Sequence, residues 1–179
     1  MNDAPPLDPE NFRDDLHAIY ADLGADVAIA GPICALSGRC CRFEEFGHTL
    51  FLSEPEFTLL LADAPRPVRP LDNGETCPWQ DSRGRCTAHA ARPLGCRVYF
   101  CDDSYESHAH DLSERHIQRL KQLVDARGLP WNYAPLHHHL RRAAEAGRLI
   151  NPETHERLGT RVNMEEREFD RPNDPPLAS

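Results

Sequence analysis

Cys34, Cys40, Cys41, Cys77, Cys86, Cys96 and Cys101 are the seven cysteines of this 179-residue chain, and none lies outside positions 34–101. Thiolates at short spacings bind soft metals well, because small chelate loops cost little chain entropy and sulfur suits zinc, iron or cuprous copper. An odd number cannot close into intramolecular disulfides without a remainder, and reducing compartments keep thiols free, so metal ligation is expected ahead of a disulfide framework. Cys96 and Cys101, at x4 spacing, and Cys86 before them are the strongest single candidates. Cys40 and Cys41 are adjacent, and neighbouring side chains in extended or turn backbone tend to point apart, so they are expected to serve two centres or to bridge two metals. Any one of these thiols could instead pack as a small hydrophobe, a reading that weakens for all seven together.

Other polar residues rank lower. His89 is a candidate extra ligand. His108, His110 and His116 follow Cys101 on a polar segment and read as solvated. His137, His138 and His139 are consecutive; three in a row on a helix cannot converge on one metal, and one is expected to face the core. Asp102 and Asp103 are hard ligands or hydrogen-bond acceptors beside Cys101, with an exposed loop as the simpler reading. Arg39, Arg42, Arg85 and Arg97 each lie within one residue of a cysteine. A four-thiolate zinc or 2+ cubane centre has a formal charge of about −2, and these cations could donate to sulfur and stabilise it, with a solvated arginine-rich surface as the other reading of each. The sequence has no P-loop, GxGxxG, HExxH or GxSxG motif, so several enzyme classes lose their usual signal.

The elements that must position these residues point to a mainly α fold with irregular, metal-organised loops and one short β element. Asp8 with Pro9 caps a helix expected over residues 9–28, with Phe12, Leu16, Ile19, Tyr20, Leu23 and Val27 at helical spacing. A short strand is expected around 48–52. Ser53 and Glu56 form a capping box for a helix over 54–62, and a proline-punctuated loop follows at 64–76. Residues 77–101 have little apolar periodicity, so metal-organised loops with one helical turn are expected. Ser113 is expected to cap a helix to Arg127, with Gly128 ending it. Trp131 and Tyr133 read as packing anchors before a last helix over 135–146. The domain reading is an N-terminal helix at 1–30 packing on a cysteine module at 31–104, C-terminal helices at 105–150 completing the same domain, and a polar, partly disordered tail at 151–179.

Composition narrows the partners. Twenty Lys and Arg against 29 Asp and Glu give a net charge of −9, which argues against nucleic acid, since phosphate binding needs clustered cations. Lys121 is the single lysine. No apolar run is long enough to span a membrane and no signal-like segment is seen, so no membrane partner and a cytoplasmic location are expected. Residues 31–101 carry eight basic and eight acidic side chains, whereas residues 1–30 carry one and seven. The acidity lies outside the cysteine module.

Three blocks stand in order: CALSGRCC from Cys34, CPW from Cys77, and CTAHAARPLGCRVYFC from Cys86 to Cys101. This order resembles the YkgJ-like cysteine-cluster family described as zinc- or iron-chelating, whose pattern runs CxxCxxCC, CP, then CxIYxxRPxxCRxF with a further cysteine. The likeness covers about two-fifths of the chain, and includes Arg92, Pro93 and Arg97. Ser37 stands at the second cysteine position and His89 at the usual tyrosine. The resemblance implies an α-rich domain whose seven cysteines bind an iron-sulfur cluster or zinc, with a redox or metal-handling role. Eight thiolates could fill two four-thiolate sites; seven leave one short, to be completed by His89, Ser37, water or substrate. Flagellin lysine N-methylases carry a similar cluster and use S-adenosylmethionine, which implies an enzymatic alternative. A structural zinc module that docks a protein partner is the third reading.

Overall fold

The computed structural model describes residues 7–71 and 74–149. The Asp8 side chain accepts from the Glu10 N–H and opens a 3-10 turn, Pro9–Asn11. Helix α1, Arg13–Ala30, follows and ends on Gly31 in the left-handed region at φ 64°, where a side chain would be strained. The capping box is complete: Ser53 and Glu56 exchange both hydrogen bonds at the start of α2, Glu54–Asp63. The one helical turn expected in the cysteine loops is α3, Leu94–Val98.

Helix α4, Glu106–Ala126, starts earlier than expected. Ser113 lies inside it and does not cap it. The chain enters instead through a 3-10 turn, Asp103–Tyr105, whose cap is the Asp102 carboxylate. His108 and His110 are therefore helical, and the buried Tyr105 anchors the entry. Helix α5, Leu136–Glu145, closes the described fold. Strand β1, Phe51–Ser53, pairs antiparallel with β2, Tyr133–Pro135, in the register Leu52 to Ala134. The second strand was not expected. Tyr133 still anchors, stacking on Trp131 and on Phe51 with ring centroids 5.4 and 5.9 Å away. The fold is thus mainly helical with one two-stranded sheet among the described residues. The tail reading, at 151–179, lies outside them.

Two apolar clusters hold these elements. In the first, Leu16, Ile19 and Leu23 of α1 meet Leu94 and Val98 of α3 and Leu112 and Leu120 of α4. In the second, Leu52, Phe57, Trp79, Leu136 and Leu140 surround Cys41 and Cys77. Each fully buried large side chain contributes about 1.5–3 kcal/mol. His116, expected in solvent, is only 1% exposed, with Nε2 2.9 Å from Asp26, so it joins α4 to α1. His139 is the histidine of its run that enters the core, with Nε2 2.9 Å from the Leu52 carbonyl oxygen and its ring stacked on Phe57. No helix among the described residues is long and apolar enough to cross a membrane.

Glu56 ties the two clusters together. It is 1% exposed and its oxygens accept from the Ser53 N–H and hydroxyl, the Leu94 N–H and the Tyr20 hydroxyl. Burial pushes its pKa up despite these donors. The bond to Leu94 fixes the first turn of α3, which carries Cys96.

Candidate metal centre

Four stretches of chain build the site. The first ends in a 3-10 turn, Arg39–Cys41. Successive side chains on such a turn are about 120° apart, not 180°. Cys40 and Cys41 therefore face the same space, with Sγ atoms 4.0 Å apart, and the expectation that they point apart is corrected. The Cys77 N–H donates to the Cys41 carbonyl at 2.7 Å and Arg42 bridges to Thr76, so the second stretch runs alongside the first.

The third is a tight hairpin. Thr87 N–H donates to the Trp79 carbonyl at 2.8 Å, Gln80 bridges to Cys86, and Gly84 turns the chain at φ 77°. The buried Gln80 amide donates to the Gly38 carbonyl at 2.9 Å and to the Gly84 carbonyl at 3.2 Å, stapling the first stretch to the hairpin. A Cβ on Gly38 would stand 2.3 Å from the Gly84 oxygen, so this crossing admits only glycine. The fourth is α3 and its exit, bearing Cys96 and Cys101. The Ser37 hydroxyl lies 3.4 Å from Cys101 Sγ, and Asp102 accepts from the Ile33 N–H at 3.0 Å, which ties the first stretch to the fourth.

All seven cysteines line one cavity of about 650 Å³, together with Ser37 and His89. Its floor includes the buried Cys41, Cys77 and Trp79; its mouth is open at the exposed Cys34 and Leu36. The inner thiols interact. Contacts with Cys40, Cys77 and Cys86 hold the proton on Cys41 and push its pKa up. The hydrogen bond from Cys41 is also the main reason that Cys40 falls to about 6 and Cys86 to about 7. Burial, reinforced by negative charge on Cys77 and Cys86, pushes Cys96 up. His89 is exposed, and the Arg92 charge is the main cause lowering its pKa, which favours the neutral imidazole that metals bind.

The donor chemistry fits a soft metal. Sulfurs that share a tetrahedral zinc at about 2.3 Å lie about 3.8 Å apart, close to the Cys40–Cys41 separation. As the side chains lie, no three of the described His, Cys, Asp or Glu residues form a group that could hold a metal ion.

The remaining candidates are placed as follows. His108, His110, His116 and His137–His139 do not line this cavity, and neither do Asp102 and Asp103. Arg39 and Arg85 line it, but Arg42 pairs with Glu45 at 2.9 Å. Arg97 donates to the carbonyls of Arg92 and Ala90 and lies 4.4 Å from the Tyr20 ring centre. Sequence reasoning did not single out Arg83, which lines the cavity, and took Arg92 only as a motif residue. It also missed His48, which stacks on Tyr99 with ring centroids 4.6 Å apart and lines a neighbouring 230 Å³ cavity with Cys40 and Cys96. No sequence signal marks these, because facing is set by the turns. The chain matches no family model, no curated protein and no solved structure.

Proposed function

We propose that the chain is a cysteine-cluster metal protein that holds an iron-sulfur cluster or zinc, in keeping with the YkgJ-like pattern of its sequence. The observation that carries this reading is the convergence of all seven thiols on one cavity from separate stretches of chain. Thiols that served only as small hydrophobes would have no reason to share a wall. Cys40, Cys41, Cys77, Cys86 and Cys96 would supply the inner ligands, and Cys34, Cys101 and His89 the outer ones. Bound zinc would supply a structural cross-link, and a cluster one-electron chemistry.

This chain's own residues prepare the site. The hydrogen bonds from Cys41 favour ionised Cys40 and Cys86 thiolates, and metal binding would displace the protons that remain. Glu56 holds α3 and so the approach of Cys96. Anaerobic purification followed by metal and sulfide analysis and an optical spectrum tests the reading. A brown protein with sulfide indicates a cluster; a colourless one with zinc indicates the structural ion. Cys86→Ser, Cys96→Ser and Cys101→Ser are each expected to lower bound metal, and full metal content in all three overturns the proposal.

A further inference from the structure

The charge on the cavity is one-sided. Its lining includes Arg39, Arg83, Arg85 and Arg92 and no aspartate or glutamate, in a chain where acids outnumber bases 29 to 20. Elsewhere, Arg13, Arg42, Arg115, Arg119 and Arg127 each pair with a carboxylate, Arg69 and Arg97 donate to backbone carbonyls, and none of these seven lines the cavity. Arg39 lies 5.1 Å from the Phe46 ring centre, and Arg92 donates to the His89 carbonyl at 3.1 Å. The acid nearest the hairpin arginines in sequence, Asp81, is engaged otherwise. Its Oδ1 accepts from the backbone N–H of Arg83 at 2.9 Å and of Arg85 at 2.8 Å, which stiffens the turn and leaves both guanidinium groups without a carboxylate partner among the described residues.

Charge balance at a metal does not use these cations up. A four-thiolate zinc or 2+ cubane carries about −2, and seven thiolates on two zinc ions about −3, against four guanidiniums. The whole cavity, metal site included, is also roomy: 650 Å³ falls within the roughly 300–1,000 Å³ of small-molecule sites. A centre held by the inner thiols would sit toward the buried floor, whereas Arg39, Arg83 and Arg85 are exposed at the mouth. The apolar lining there and below includes Leu36, Leu50, Leu60, Trp79, Phe100 and Leu136.

We infer that the outer part of this cavity binds a small amphiphilic anion, a carboxylate or phosphate monoester with an apolar body. Guanidinium forks match the oxyanion, since they give two parallel hydrogen bonds to carboxylate or phosphate, and the apolar wall takes the body. The site shares its cavity with the proposed metal centre and adds a ligand class to it, but its recognition chemistry does not require the metal.

The test titrates hexanoate, phenyl phosphate and hexylammonium into purified protein by calorimetry, with metal content measured on the same sample. At least one of the two anions is expected to bind saturably at one per chain while hexylammonium does not, and the two anion arms separate a carboxylate from a phosphate ligand. Arg83→Ala on the hairpin is expected to weaken anion binding about tenfold or more with metal content unchanged. Arg141→Ala with Arg142→Ala, exposed on α5, is expected to leave it unchanged. The inference is overturned if neither anion saturates, if hexylammonium binds equally well, or if the α5 variant loses as much as the hairpin variant. Metal bound with no anion binding sinks this inference alone; anion binding without metal leaves it standing and sinks the metal reading.

Discussion

The α1–α4 side of the molecule and the cysteine side are held together by different means. On the helical side, apolar stripes interlock and the surface is laced by cross-helix pairs: Arg119 to Asp22 at 2.6 Å, Arg115 to Asp26 at 3.0 Å, and Arg127 to Asp15. On the cysteine side, an apolar cluster under Cys41 and Cys77 is joined to irregular stretches that meet through scattered backbone bonds, one glutamine amide and a glycine crossing, around a cavity. The first arrangement is long helices packed along their length, and the second is short turns tied at scattered points. Helices packed along their length can lose one contact and persist, whereas the turns around the cavity have fewer contacts each and depend, in our proposal, on the metal within.

The two sides are expected to differ most on removal of metal. Chelation is expected to turn residues 34–101 from protease-resistant to readily cut while α1 and α4 stay intact; limited proteolysis with mass mapping checks this, and equal resistance of both forms counts against it. Next in size, Leu120→Ala on the helical side should cost about 2–5 kcal/mol in urea unfolding without lowering metal per folded chain. A matched loss of metal would show that the two sides are not separable.

A smaller contrast uses two glycines of similar conformation. Gly38 at φ 68° faces the Gly84 oxygen, and Gly128 at φ 66° has nothing within 4 Å of a built Cβ. Gly128→Ala should therefore cost only left-handed strain, about 1 kcal/mol. Gly38→Ala should cost roughly 1–3 kcal/mol and lower metal content as well. The smallest effect is one of pH. The Asp26 pKa is lowered from 3.8 in the folded chain, first by the hydrogen bond with His116 and then by Arg115. A depressed acid adds stability above its unfolded pKa and loses it as pH falls through the folded value. Asp26→Asn should thus be less stable than the parent at pH 7, with the gap closing below about pH 4 in denaturant titrations.

Much of the frame was legible because it is local. The Asp8 cap, the Ser53–Glu56 box and the terminal Gly128 each depend on side chains a few positions apart. The start of α4 was missed because Ser113 looks like a cap, whereas the real start is set by Tyr105 entering a core built from distant residues. Strand β2 is three residues ending in proline, and only its partner across the chain makes it a strand. For the site, the sequence marks which residue types are present but not how they face. A 3-10 turn put Cys40 and Cys41 together, and an Asp81-braced turn aimed Arg83 and Arg85, while Arg42 and Arg97, just as close to cysteines in sequence, turned to other partners.

Leu136 closes one side of the cavity, yet it follows β2 and lies beyond all seven cysteines in the chain. Synthesis runs from the N-terminus, so every thiol leaves the ribosome before that wall does. The nascent chain therefore passes through a stage in which all seven sulfurs are present and the Leu136 wall is not, so that, in our proposal, metal would reach them before that wall forms.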